Sequence, residues 1–125
     1  MLLNDFYKIE TIAEGEPGRK FMASISFNTQ HSIFSGHFPG MPVVPGVCLV
    51  KITGELISRH TGRYYRLLEA DSIKFIRFVT PKEIKNLHFE ITFVPEGNLL
   101  TVTGTAFLDQ LIYFKLKGKY SEAPR

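Results

Sequence analysis

His37 is the residue whose type and setting most invite chemistry. It stands in the run Gly36-His37-Phe38-Pro39-Gly40-Met41-Pro42-Val43-Val44-Pro45-Gly46-Val47, where three Pro and three Gly fall within eleven residues. Proline fixes the backbone and glycine lets it approach a ligand closely. Gly46 opens an apolar segment that reads as a helix, and the unpaired N–H groups and dipole at a helix start favour an anion. An imidazole beside such donors can act as a base next to an oxyanion site. The other reading of the same residues is a histidine that only hydrogen-bonds within a proline-rich loop.

The flanking patterns say what must position this loop. Residues 6–12 read as a strand or edge turn, and Gly15-Glu16-Pro17-Gly18 as a turn. Phe21, Ala23, Ile25 and Phe27 alternate with Met22, Ser24 and Ser26, the period of a half-buried strand. After Pro45-Gly46, the residues Val47, Cys48, Leu49, Val50, Ile52, Leu56 and Ile57 occupy nearly the whole helical wheel. That helix is expected to be buried on most sides and to end near 59–62, with Gly62 left-handed. Residues 64–70 and 73–79 read as two strands, and Pro81-Lys82-Glu83 as a turn. Leu87, Phe89, Ile91 and Phe93 alternate, Pro95-Glu96-Gly97-Asn98 signals a hairpin, and Leu100, Val102, Gly104 and Ala106 alternate again. Asp109-Gln110 precedes a last strand to about Tyr120, with 121–125 expected to fray. One buried helix between two β-regions implies an antiparallel sheet wrapped around it. A lone wrapped sheet leaves an edge open, which predicts pairing with a second copy.

Composition narrows the function classes. A chain of 125 residues, 44% hydrophobic and 22% charged, excludes disorder and predicts one domain over 1–125. No apolar run approaches the ~20 residues that span a bilayer. Met1-Leu2-Leu3-Asn4-Asp5 carries no signal-peptide pattern, so a soluble cytoplasmic protein is expected. The single cysteine, Cys48, cannot form an internal disulfide, and its place in the apolar helix predicts a small packed hydrophobe. His31, His60 and His88 show no metal-ligand spacing, so neither a metal nor a dissociable cofactor is expected. Fifteen Lys and Arg against twelve acids give a net charge of +3, which suits an acidic partner without naming one. Lys115, Lys117 and Lys119 alternate with Phe114, Leu116 and Tyr120, the wet face of a strand rather than a nucleic-acid patch.

The run from Gly36 to Val47 resembles the signature loop of the 3-hydroxyacyl-[acyl-carrier-protein] dehydratases, G-H-F-P-G-x-P-x-x-P-G-V. The segment Ser72 to Pro81 is similar to the family's strand after the helix, with Phe78 where a Pro is usual. The resemblance implies the α+β hotdog fold, a curved antiparallel sheet around one long helix, and a dimer or higher homo-oligomer. It implies that His37 removes the α-proton of a 3-hydroxyacyl thioester and that the Gly46 N–H polarises the thioester carbonyl. Phe38 and Pro39 would orient His37 and, with Gly40 and Val47, line the substrate. It further implies an acyl carrier protein as the partner that presents the acyl chain; such a carrier is acidic, so the positive balance of this chain, with Arg63, Arg66, Lys74 and Arg77 as candidates, suits its docking.

One position departs from the family. Fourteen residues after the histidine, where the family places a Glu or Asp that protonates the departing hydroxyl from the other subunit, this chain has Lys51. An acceptor-only anion becomes a cation with three donors. Lysine's reference pKa of about 10.4 makes it a reluctant acid unless burial lowers it. Lys51 either gives that proton or merely reaches water along the dimer seam. Glu55, four residues on and on the same helix face, either enters the cleft as the acid or pairs with Lys51. Gly54 beside it lets a partner helix or an acyl chain come close. Three functions follow: dehydration of carrier-bound 3-hydroxyacyl thioesters, an acyl-binding subunit that pairs with an active partner, or thioester hydrolysis through Glu55.

Overall fold

The computed structural model describes residues 1–35 and 40–124. The elements are β1 (Tyr7–Glu14), β2 (Lys20–Phe27), α1 (Gly46–Thr61), β3 (Tyr65–Phe75), β4 (Leu87–Glu96), β5 (Leu99–Leu108) and β6 (Leu111–Glu122). A short 3-10 turn, Ser32–Phe34, lies between β2 and α1. The strands form one antiparallel sheet in the order β1-β2-β4-β5-β6-β3. Alternation decides which face is dry. Phe21, Ala23 and Ile25 of β2, Leu87, Phe89 and Ile91 of β4, and Phe114, Leu116 and Tyr120 of β6 are buried together with Ile52, Leu56 and Ile57 of α1. Burying each such aliphatic or Phe side chain is worth about 1.5–3 kcal/mol, so this single layer contact holds the helix in the concavity of the sheet.

The helix starts and stops where its flanking residues dictate. Pro45, at φ −60° and ψ 141°, precedes the first turn and supplies no side-chain cap. Gly62 ends the helix at φ 75°, its N–H donating to the Ser58 carbonyl at 3.0 Å.

Three expectations need correction. The helix is buried on one side, not on most: Cys48, Leu49, Ile52, Thr53, Leu56 and Ile57 are inside, whereas Val47 is 73% exposed and Lys51 lies open. The two strands expected over 64–70 and 73–79 are one strand, β3, with register shifts between Leu67 and Glu69 and between Ala70 and Ser72. Each shift inserts a residue and breaks the two-residue period that sequence reading relies on. A Cβ on Gly118 would stand 2.6 Å from the Glu69 carbonyl, so this close approach of β6 to the bulged strand needs a glycine. Beyond Phe75 the chain leaves the ladder, although the Ile76 and Arg77 amides still donate to the Tyr113 carbonyl and the Val44 amide to Val79. Ser121 and Glu122 do not fray: they belong to β6, and the Ala123 amide bonds to the Tyr64 carbonyl at 2.9 Å.

Candidate active site at the start of the helix

Residues 36–39 hold three of the nominated positions, His37, Phe38 and Pro39, which lie outside the described residues. On the far side of that segment, Gly40 is exposed at φ 90° and Val44 is buried, its amide tied to the Val79 carbonyl at 2.8 Å. The loop is therefore anchored immediately before the helix.

At the helix start the first backbone acceptor, the Pro45 carbonyl, takes the amides of Cys48 at 2.9 Å and Leu49 at 3.4 Å. The amides of Gly46 and Val47 have no backbone acceptor and Pro45 offers no side-chain cap, so among the described residues both donors are free. A helix terminus in this state carries positive potential toward any acceptor placed before it. Phe75 adds the wall. A Cβ on Gly46 would meet its ring carbons at 2.7, 2.9 and 3.1 Å, so the absence of a side chain lets an aromatic face lie directly on the helix start. Phe75 in turn stacks on Phe114, with ring centroids 5.6 Å apart. Sequence reading treated Phe75 only as strand material. Its register with the buried Phe114 is the signal that puts its ring, although more than half exposed, on the same face as Phe114 beside the helix start.

Further along the open face of α1, a cavity of about 270 Å³ lies between the helix, the start of β3 and the end of β6. Val50, Lys51, Gly54, Tyr64, Tyr65 and Tyr120 are among its lining residues. The Tyr120 ring lies 3.5 Å from where a Gly54 Cβ would stand, and its hydroxyl is buried without a hydrogen-bond partner among the described residues. A wider cleft of about 680 Å³ sits at the β4–β5 hairpin, lined by Arg63, Pro95, Asn98 and Glu122, and contains none of the nominated catalytic or substrate residues.

Lys51 and Glu55 both line this cavity but form no ion pair. The Glu55 Oε2 accepts from the Leu2 amide at 2.8 Å, and its Oε1 from the Leu3 amide at 2.9 Å and the Tyr7 hydroxyl at 3.0 Å. Burial, and then the Glu55 charge and hydrogen bond, push the Tyr7 phenol well above its ordinary range, which keeps it a donor. Lys51 has no carboxylate within 4 Å among the described residues. Cys48 is buried, and desolvation raises its thiol pKa, the state of a packed hydrophobe rather than of a nucleophile.

The remaining histidines have structural partners. His31 caps the 3-10 turn by accepting from the Ile33 amide at 3.1 Å, and its other ring nitrogen lies 3.1 Å from Asp5. His60 stacks on Phe21 with centroids 4.1 Å apart, and His88 lies 2.5 Å from the Ser24 hydroxyl. Among the candidate docking residues, Arg63 is already paired with Glu122 at 3.0 Å. No helix among the described residues is long and apolar enough to cross a membrane.

Comparisons with known proteins converge on one family. Residues 13–103 match the family model described as ApeI-like, ApeI dehydratase. The 3-hydroxyacyl-[acyl-carrier-protein] dehydratase FabZ of Clostridium acetobutylicum is 30% identical over 122 residues, covering 86% of this chain and 85% of that one. The FabZ of Geotalea uraniireducens is 27% identical over 130 residues, covering 94% and 88%. Among solved structures, the dehydratase heterocomplex ApeI:P from Xenorhabdus doucetiae superposes with a TM-score of 0.73 at 21% identity, over 90% of this chain and 96% of that one. The dehydratase domain of the CurJ module of the curacin polyketide synthase does so with a TM-score of 0.62 at 18% identity, over 94% and 42%. These likenesses show the hotdog fold. With a family match over residues 13–103 and a relative 30% identical over most of its length, the chain belongs to the ApeI-like dehydratases.

Proposed function

We propose that the protein eliminates water from 3-hydroxyacyl thioesters carried on acyl carrier protein, and that it works as a homodimer with a site shared between subunits. The observation that carries this reading is the pair of amides at Gly46 and Val47, without an acceptor among the described residues, beside the Phe75 ring and nine residues after His37 in the chain. The α-proton of a thioester is weakly acidic, so its removal needs a donor where negative charge develops on the carbonyl oxygen. The Gly46 N–H is that donor, and one such donor is worth about 3–4 kcal/mol of barrier. The His37 imidazole takes the α-proton, and Phe38, Pro39, Gly40 and Val47 frame the reacting end. As the α-C–H bond breaks, its electrons form the new C=C bond and the C–O bond to the 3-hydroxyl breaks. The departing oxygen takes a proton from Lys51 of the neighbouring subunit and leaves as water. The proton on His37 then returns to the lysine through solvent.

Glu55 does not serve as the acid in this scheme, because both its oxygens already accept hydrogen bonds from Leu2, Leu3 and Tyr7. The same fact removes support from the hydrolytic reading, which rested on Glu55 alone. Two features support the dimer. β3 is an edge strand, and Leu68, Ile73, Phe75 and Ile76 on or just after it are exposed, as is Val47 on the open helix face. An unpaired edge with apolar side chains favours addition of another strand. The lysine at the acid position also favours a second reading, in which the chain binds acyl groups and completes an active partner chain.

The test is formation of enoyl thioester from 3-hydroxyacyl carrier protein by the parent, His37→Ala, Lys51→Ala and an equimolar mixture of those two variants. Each variant alone is expected to lose about 10²–10⁴-fold, the usual effect of removing a general base or acid. The mixture regains activity, because half-and-half dimers contain one intact shared site. An inactive parent that binds acyl carrier protein selects the partner-subunit reading, and an active parent whose mixture stays dead rejects the shared site.

A further inference from the structure

Lys51 and Glu55 stand four residues apart on one helix face, the spacing at which an ammonium and a carboxylate ordinarily find each other. Here they do not. The first seven residues form a turn in which the Leu2 carbonyl accepts from the amides of Asp5 at 3.1 Å and Phe6 at 2.8 Å, with Asn4 at φ 69°. Phe6 is fully buried, which fixes the turn to the body of the protein. The turn presents two backbone amides and the Tyr7 hydroxyl to Glu55, and all three are taken.

We propose that Glu55 is a positioning residue: by committing both carboxylate oxygens to the N-terminal turn, it leaves the Lys51 ammonium without an acid partner and so free to act at the reacting hydroxyl. An ion-paired lysine holds its proton more tightly, so a Lys51–Glu55 pair would make a worse proton donor. The other groups facing the cavity that Lys51 lines do not replace Glu55. Met1, Ser58, and Tyr64, Tyr65 and Arg66 around the start of β3, with Tyr120 on β6, offer no carboxylate side chain, and Cys48, one turn back on the helix and outside that lining, is a buried thiol. The inference rests on Lys51 as the proton donor, but the withholding of Glu55 is a property of the folded chain and is measurable without turnover.

The experiment is competitive acetylation of lysine amines with acetic anhydride at several pH values, read peptide by peptide by mass spectrometry. Leu3→Pro together with Tyr7→Phe removes both donors to Oε1, because proline has no N–H, and leaves the Leu2 bond to Oε2. The freed oxygen then reaches Lys51, and acetylation of Lys51 at mildly alkaline pH slows about two- to fivefold, the range set by measured exposed ion pairs. Adding Glu55→Gln to that variant restores the parent rate, because the competing charge is gone. A purely structural role for the turn gives no such restoration. Unchanged or faster acetylation in the broken-turn variant, or slowing that Glu55→Gln does not reverse, overturns the proposal. Should the double variant fail to fold, Tyr7→Phe alone, with and without Glu55→Gln, makes the same comparison with a smaller shift in the same direction, and no shift overturns it.

Discussion

The two ends of the open face of α1 treat their polar groups in opposite ways. At the start, among the described residues, the Gly46 and Val47 amides have no acceptor and, one turn on, the exposed Lys51 has no carboxylate within 4 Å. A single turn later the Glu55 carboxylate is saturated by three donors. Within one helix, then, the polar groups at one end are tied into the fold and those at the other are open. The difference separates candidate chemistry from architecture more sharply than residue type does, since by type alone Glu55 is the better acid.

The largest effect expected from breaking this contrast is at Gly46. Phe75→Ala first removes the ring that a side chain there would strike. In that background Gly46→Ala keeps the amide N–H, whereas Gly46→Pro deletes it. Proline is tolerated in the first helical turn, and Pro45, at φ −60° and ψ 141°, already has the extended backbone that a residue before proline adopts. The proline variant is expected to turn over about 10²–10³-fold more slowly than the alanine variant, the usual loss for one oxyanion donor. Equal rates would show that this amide never meets the developing charge.

At the saturated end the contrast predicts an effect on stability with little on chemistry. Glu55→Ala removes the acceptor for three donors at a partly buried site and is expected to destabilise the fold by about 1–3 kcal/mol, read as a lower urea midpoint. Glu55→Gln keeps one acceptor oxygen and loses less. The kcat of Glu55→Gln stays within a few fold of the parent, far from the roughly 10²–10⁴-fold loss that follows removal of a general acid. A collapse of kcat in a well-folded Glu55→Gln protein would return the acid role to Glu55.

The same contrast explains how much could be read from the sequence. β2, β4, β5 and β6 were legible because each alternates cleanly against a buried layer, as Leu87, Phe89, Ile91 and Phe93 do. The free helix start was legible too, since Pro45-Gly46 marks it by residue type. β3 was misread because it is an edge strand with few buried positions, and its two register shifts break the alternation around Glu69 and Asp71. The open face of α1 was missed because Val47 and Val50 are apolar whether or not the chain covers them. The fate of Glu55 was beyond sequence reading for another reason. Its partners lie 48 to 53 residues away, and two of them are backbone amides, which carry no residue-type signal.

The smallest predicted effect sharpens the saturated end alone. The Tyr7 phenol is raised above its ordinary value near 10, chiefly by burial and then by Glu55, and Tyr120 is raised by burial alone. A group whose folded pKa is raised contributes its full stability below the unfolded pKa and loses it as pH rises toward the folded one. Below about pH 10 both phenols are protonated in the folded and unfolded states, and above it the unfolded chain ionises first. Each tyrosine then removes up to about 1.4 kcal/mol of stability per pH unit. Tyr7→Phe abolishes one of the two contributions while leaving Tyr120 and every lysine unchanged, so the fall in urea midpoint between about pH 10 and pH 11 is expected to become shallower than in the parent. Tyr120→Phe removes only a burial contribution, with no hydrogen bond among the described residues to lose, and flattens the same slope without lowering the midpoint at neutral pH. Parallel slopes in parent and Tyr7→Phe would mean that the phenol ionises freely in the folded protein and that its bond to Glu55 does not hold the N-terminal turn in solution.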